Sequence, residues 1–443
     1  MTGDNAAPAE APGQAGGRRA SFGFIFALAL MNSVSFGLMI PILPNLIKQF
    51  VGGDTATASE WNALFAATWG LMQFVCGPVL GMMADRFGRR PVLLLSLTGL
   101  GIDFLFMAFA PSLWWLYVGR ILNGMTAASF STANAYLADV TPPDQRAKTF
   151  GLMSSAFSFG FIIGPALGGW IGGYYGLRAP FVVAAVLTLV NALYGLLILP
   201  ESLPKERRAL RFDWRRANPV GSLRLLRSHI GLLGLAGVGF LFQFSQVVLP
   251  TCFVLYTTHR YGWSPQFLGV TFFITGVLGV LVQWFVVGPF VARFGERAAV
   301  LTGAACGCLV FAWYATASVG WVYLLGAPIF ALWGLLMPGL QGLMTRRVPP
   351  QEQGQLQGAN QSLAGIAAIL GPPLYGEVFA WSIRHEASQH MPGMAIYVAS
   401  ALMVLAFLLA SSVARPQAAE AIQPAQEGRA SGAASVPDVG EGR

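Results

Sequence analysis

Charge is what this chain has least of. Lys, Arg, Asp and Glu make up 10% of its 443 residues, where a soluble globular domain carries about 25%, so a water-facing surface could not be covered. The four cysteines, Cys76, Cys252, Cys306 and Cys308, all lie in apolar stretches without a zinc-spaced set of His or Cys around them. Cys306 and Cys308 on one helix point about 200° apart, which argues against a shared metal or a disulfide. The four histidines, His229, His259, His385 and His390, fall at helix ends or in loops. No activated nucleophile, no His/Glu cluster and no phosphate-binding lysine loop is present, so the chemistry of a membrane enzyme or an ATP-driven pump is missing. No cofactor or metal is implied.

What the chain has in abundance is apolar length. Hydrophobic residues make up 55% of it and the mean hydropathy is +0.59. Runs of about 20 apolar residues span a bilayer as helix, because the backbone must satisfy its own hydrogen bonds in lipid. Such runs fall near 22–47, 61–83, 91–110, 113–138, 149–173 and 179–199, and then near 230–256, 266–290, 298–317, 320–344, 358–381 and 392–413. The expected fold is an all-α membrane protein of twelve transmembrane helices. Residues 1–21 lack the charged start, apolar run and cleavage site of a secretory signal and read as a disordered leader. Residues 414–443 read as a disordered tail.

The side on which the loops lie follows from Lys and Arg in alternate loops. One side carries Arg86, Arg89, Arg90, Arg146, Lys148, Arg293, Arg297, Arg346 and Arg347, plus eight between Lys205 and Arg227, for a total of seventeen. The other carries four: Lys48, Arg178, Arg260 and Arg384. Both termini and the linker 201–229 are therefore expected in the cytoplasm, and the net charge of +8 is topology rather than a nucleic-acid footprint.

The chain also repeats itself. The shift that carries Gly81 onto Gly288 aligns GMMADRFGRR, from Gly81 to Arg90, with GPFVARFGER, from Gly288 to Arg297. The same shift carries Pro142-Pro143 onto Pro349-Pro350, Gly151 onto Gly358, Gly164-Pro165 onto Gly371-Pro372, Gly169 onto Gly376, and Trp114 onto Trp321. Two parallel, pseudo-symmetric six-helix bundles follow, over 22–200 and 230–413, with room for a substrate between them near the bilayer midplane.

Between the second and third runs, Gly81 and Gly88 allow tight backbone turns. Asp85 can pair with Arg89 or accept from a helix N-terminus, and Arg86, Arg89 and Arg90 anchor at headgroups. In the fifth run, Gly160, Gly164, Gly168 and Gly169 permit close helix contact while Pro165 bends the helix. The two patterns resemble the loop signature of the major facilitator superfamily and the motif of its antiporter branch. The resemblance extends over about residues 24–413 and is nearest to the bacterial tetracycline efflux proteins, drug–proton antiporters. It is carried by Gly37-Leu-Met-Ile-Pro41-Ile-Leu-Pro44, Asp103, Arg120-Ile-Leu-Asn-Gly124, Ala135-Tyr-Leu-Ala-Asp139 and Gly354-Gln-Leu-Gln-Gly358. It implies a gating role for Asp85 and the arginines, a charge relay through Arg120, and a hinge at Gly164-Pro165. It further implies a bacterial inner membrane and a monomer whose partners are lipid, an amphiphilic drug and protons.

The sequence departs from that family at two places. An aspartate expected nine residues before Pro41 is Asn32, and one expected twelve after Gly295 is Gly307. Asp103 is then the acid well inside an apolar run, at a depth similar to that of Arg120 on the next helix. The two residues form either a relay or a static ion pair. Polar and aromatic side chains costly to expose to lipid mark a substrate surface: Gln73, Gln243, Gln246, Gln283, Gln341, Asn360 and Gln361, with Asn32, Phe244, Trp284 and Trp333. The expected function is export of a tetracycline-like or other amphiphilic drug in exchange for protons. The alternative is a uniporter or metabolite transporter without proton coupling.

Overall fold

A helix keeps every backbone hydrogen bond within its own segment, and the computed structural model is built of helices throughout its described residues. These are 12–414, apart from 128, 143–144, 205, 207, 209–224, 229–230, 350–351 and 387–390. The tail, most of the linker, residues 1–11 of the leader, and Pro143 and Pro350 of the repeat lie outside them.

The first half comprises α1 (Pro12–Met39, continued by Leu43–Phe50), α2 (Thr55–Phe87), α3 (Arg89–Phe109), α4 (Leu113–Thr126 and Ser129–Val140), α5 (Arg146–Tyr175) and α6 (Ala179–Ile198). After a short turn, Leu225–Ser228, come α7 (Leu232–Gln246 and Val248–Tyr261) and α8 (Pro265–Leu281, a π turn Val282–Val286, and the start of Val287–Thr316). The remainder of Val287–Thr316 is α9, followed by α10 (Gly320–Leu325, Ala327–Trp333 and Leu336–Thr345), α11 (Gln353–Arg384) and α12 (Met394–Val413). Ten helical stretches are long and apolar enough to cross a membrane. One of them, Pro265–Thr316, would run about 78 Å at 1.5 Å per residue, over twice a hydrocarbon core, and so makes two crossings. The two short segments of α4 together make the twelfth.

Several boundaries differ from the sequence reading, α2 starting at Thr55 rather than near 61 and α11 at Gln353 rather than near 358, and two differences are larger in kind. The first helix begins at Pro12 rather than near 22; proline is tolerated in a first turn, where its missing N–H has no partner to lose. The loop expected between 290 and 298 contracts to one residue, Gly295, at φ 83°.

Prolines set most of the internal breaks, since each removes the bond to the carbonyl four residues earlier. Pro44 frees Ile40, Pro250 frees Gln246, Pro328 frees Leu324 and Pro338 frees Gly334, and α1, α7 and α10 interrupt close to those carbonyls.

Helices in lipid gain little from hiding apolar surface, so they associate by close packing at small residues. Within the first half α1 lies on α5, where a methyl on Gly164 would stand 2.7 Å from the Gly37 Cα. The halves meet along two seams, α2 with α11 and α5 with α8.

The repeat is visible in detail. Gly88 and Gly295 take the same left-handed turn, φ 111° and 83° with ψ 160° and 166°. The guanidinium of Arg86 lies 5.4 Å over Phe87, and that of Arg293 lies 5.4 Å over Phe294. Trp114 and Trp321 both stand exposed at the end opposite the basic loops, as interfacial aromatics do.

Candidate functional site

The seams close the molecule at the end far from the basic loops. Across α2 and α11, the Ser59 hydroxyl donates to the Gly376 carbonyl at 3.1 Å and Arg384 pairs with Glu60 at 2.6 Å. Across α2 and α7, the Asn62 amide donates to the Thr251 carbonyl at 2.8 Å. On the other seam Gly169 packs on the Pro265 carbonyl, and a methyl on Gly269 would stand 2.9 Å from that of Pro165. Asp54 caps the first turn of α2. Hydrogen bonds from the Thr57 side chain and backbone, helped by the Ala56 N–H and the charge of Arg384, hold its carboxyl below the usual carboxylate range.

Beneath this closure lies a central cavity of about 280 Å³ walled by both halves. Phe36, Met39, Phe65, Trp69, Arg120 and Phe161 come from the first half, and Val247, Pro250, Thr251, Ala368 and Pro372 from the second. Arg120 is the one charged residue of the wall. Its guanidinium bonds to the Asp103 carboxylate and reaches the Met107 sulfur at 3.7 Å. Asp103 is fully buried and Arg120 nearly so. Gly119 makes this possible, since a methyl there would lie 2.6 Å from Asp103 Oδ1. Among the described residues, Asp103 Oδ1 and Arg120 Nε have no hydrogen-bond partner. Asn123, one turn on from Arg120, accepts from the Trp69 indole at 2.6 Å and so ties this wall to α2.

At the basic end the halves diverge. Between α5 and α8 opens a cleft of about 650 Å³, lined by the Ser154 to Ile162 face and by Gly276 to Trp284. In the loop from Gly81 to Arg90, Asp85, Arg89 and Arg90 bond to residues of the same half and the start of the linker. Asp85 bonds to Arg89 at 2.5 Å, and Arg89 bonds onward to Asp139 at 3.2 Å. Arg90 donates to the Leu196 carbonyl. Glu201, just past α6, accepts from the backbone N–H groups of Arg89 at 2.8 Å and Arg90 at 3.3 Å. It thereby caps α3, whose opening N–H groups have no partner within the helix. Ser202 donates to Asp139 at 3.2 Å. Arg86 stacks on Phe87 beside this network. Gly81 faces open space.

The polar residues marked in the sequence separate into groups. Gln283 and Trp284 line the α5–α8 cleft. Gln243, Gln341, Asn360 and Gln361 gather with Gln357 around a pocket of about 100 Å³ inside the second half, where the Asn360 amide donates to Gln341 at 3.4 Å. Trp333 is buried against Phe242, Phe311 and Phe330, and Phe244 packs on Phe240 and Tyr375. Gln73 and Gln246 are exposed. Asn32 is buried in α1, and Gly160 sits against Ser33 of that helix, as Gly168 does against Leu38. Sequence reasoning missed the aromatic wall of Phe36, Trp69 and Phe161, because an aromatic residue within an apolar run carries no contrast. It also missed Glu201, whose one signal is an acid placed at the start of a basic linker.

Comparison with known proteins agrees with this geometry. The Major Facilitator Superfamily profile matches residues 25–372. The class C tetracycline resistance protein of Escherichia coli is 40% identical over 358 residues, spanning 81% of this chain and 89% of that one. The class B protein of Escherichia coli is 34% identical, over 86% of this chain and 94% of its own length. Among solved structures, the nucleoside transporter NupG superposes with a TM-score of 0.72 at 13% identity, covering 89% of this chain and 99% of its own. The human organic anion transporter MFSD10 gives 0.64 at 24% identity, with the same coverage.

Proposed function

The chain belongs to the major facilitator superfamily, and from that premise we propose that it exports a tetracycline-like amphiphilic drug by alternating access in exchange for protons. The observation that carries this reading is the 40% identity, sustained along 81% of the chain, with a protein named for tetracycline resistance. The central cavity supports it. Both halves wall it and a buried ion pair borders it, so a rocking motion of the halves would expose it to each side in turn.

The basic end is cytoplasmic by the loop charges, which places both termini in the cytoplasm of a bacterial cell and makes the state described here inward-open. The protein works as a monomer in the inner membrane. Closing the basic end brings the Asp85 loop onto the start of α11, where the unpaired N–H groups of a helix N-terminus receive a carboxylate. Gly160, Gly164, Pro165, Gly168 and Gly169 keep α5 close to α1 and α8 while it pivots.

Asp103 carries the proton. While its carboxylate is ionised it holds Arg120 against the wall and the cavity is free for drug. Protonation removes that attraction, and the guanidinium turns into the cavity and occupies the drug's space. Drug and proton then exclude one another, which is what exchange requires.

A second reading, transport without proton coupling, is favoured by one observation. At Gly307, where the resemblance places an acid, a methyl would stand 2.7 Å from the Trp333 ring and 2.8 Å from the Met403 methyl. An acid there would need its neighbours to move, which leaves Asp103 as the acid well inside the first half's helices. Everted membrane vesicles loaded by an imposed pH gradient separate the two. Exchange predicts tetracycline accumulation that collapses when the gradient is dissipated; accumulation indifferent to the gradient would establish the uncoupled reading.

A further inference from the structure

We propose that the cleft between α5 and α8 is a second drug site, in series with the central cavity, and that Phe161 is the partition between the two; this rests on the drug-transport reading above. Phe161 lines both spaces. Its ring is held against Phe36 with centroids 5.8 Å apart, and Phe36 in turn lies 6.0 Å from Trp69 on the cavity side. The deep end of the cleft is shut where Gly276 meets Ile162, while the mouth is open at Gly151 and Gly279, whose surroundings are empty to 4 Å. A drug that reaches the central cavity from the cleft has to displace Phe161.

The walls have a definite chemistry. On α5 the Ser155 hydroxyl donates to the Gly151 carbonyl at 3.0 Å and the Ser158 hydroxyl to that of Ser154 at 3.1 Å. Their protons are committed to the backbone, so the oxygens facing the cleft accept hydrogen bonds. On α8 the π turn Val282–Val286 sets the Gln283 amide and the exposed Trp284 indole side by side on the same space. Such turns are frequent at functional sites because they widen a helix locally. Among the described residues, no charged side chain lines the cleft. The ligand class is therefore a planar, uncharged or internally neutral molecule rich in hydroxyl and amide donors, lying on Trp284. The cleft, at about 650 Å³ against about 280 Å³, is the roomier of the two sites.

The test uses the full chain in lipid vesicles with tetracycline as the probe. Quenching of protein fluorescence after rapid mixing should show a fast phase, lost in Trp284→Phe, and a slow phase that speeds up about tenfold in Phe161→Ala. The double variant Gly151→Leu/Gly279→Leu fills the mouth in open space on helices that leucine favours over glycine. It should transport about tenfold more slowly while equilibrium binding to the central cavity stays within about twofold of wild type. Wild-type transport by the filled variant, or a single quenching phase unaffected by Trp284→Phe, would overturn the proposal while leaving the transport reading intact. Wild-type protein that moves no tetracycline would overturn the transport reading, and this inference with it.

Discussion

In the proposed cycle, Asp103 and Arg120 take the place of the acids that the family resemblance leads one to expect at Asn32 and Gly307. Asn32 cannot titrate, and a methyl on Gly307 would stand 2.7 Å from the Trp333 ring and 2.8 Å from the Met403 methyl. The surviving carboxylate is fully buried against a guanidinium that also walls the cavity. Removing one member of such a pair strands the other charge, at a cost of about 3 to 5 kcal/mol. Asp103→Asn is therefore expected to unfold at lower temperature and to release no protons when tetracycline is added. The double variant Asp103→Asn/Arg120→Gln removes both charges and should regain most of the stability while still releasing none. Proton release that survives in the double variant would assign coupling to another group. This pairing could be anticipated from depth along adjacent helices. The aromatic side of the same cavity could not: Phe36, Trp69 and Phe161 differ from their apolar neighbours only in where they point, and that is set by packing.

The helical hairpin made by α2, the Gly88 turn and α3 recurs as α8, Gly295 and α9, but its clamp is built with the charges reversed. Arg89 pairs with Asp139 at 3.2 Å in the first half; at the equivalent positions of the second, Glu296 pairs with Arg346 at 2.9 Å. Asp85, which adds a second carboxylate in the first copy, corresponds to Ala292. Packing thus demands a pair here without demanding its polarity. Asp139→Arg alone places like charges together and should lower stability by about 1 kcal/mol. Asp85→Ala/Arg89→Glu/Asp139→Arg copies the second half and should restore the thermal unfolding midpoint of the purified protein, while transport stays impaired for want of the Asp85 carboxylate. A triple variant less stable than Asp139→Arg would show that the polarity of the clamp matters to the fold.

Both hairpins are legible in the amino-acid sequence, because glycine at a fixed offset on a basic loop is a strong signal. The breaks within α1, α7 and α10 are legible in principle from their prolines, yet an apolar run reads through a proline without interruption. Gln243, Gln341, Asn360 and Gln361 stand out as residues that lipid would reject, but not as partners for one another. A cavity-lining amide is satisfied as well by a neighbouring amide as by a ligand, and here Asn360 donates to Gln341 within the second half rather than in the central cavity.

For the molecule as a whole, the two halves follow from the repeat and the count of twelve crossings from apolar length. What apolar length does not provide is which end stands closed. That depends on a few contacts across the seams: Ser59 with Gly376, Asn62 with Thr251, and Glu60 with Arg384. Each has to break for the far end to open, and in the proposed cycle the loop carrying Asp85 then meets α11.

The central claim is that one cavity is exposed to one side at a time. It is tested most directly by spin-label distances in a variant whose four native cysteines are replaced, with one label pair at the exposed Leu64 and Trp381, beside the Glu60–Arg384 contact, and a second at the exposed Phe87 and Gln353 at the basic end. Adding tetracycline or shifting the pH in vesicles should lengthen one distance as it shortens the other. Two distances that change in the same direction, or do not change, would contradict the account.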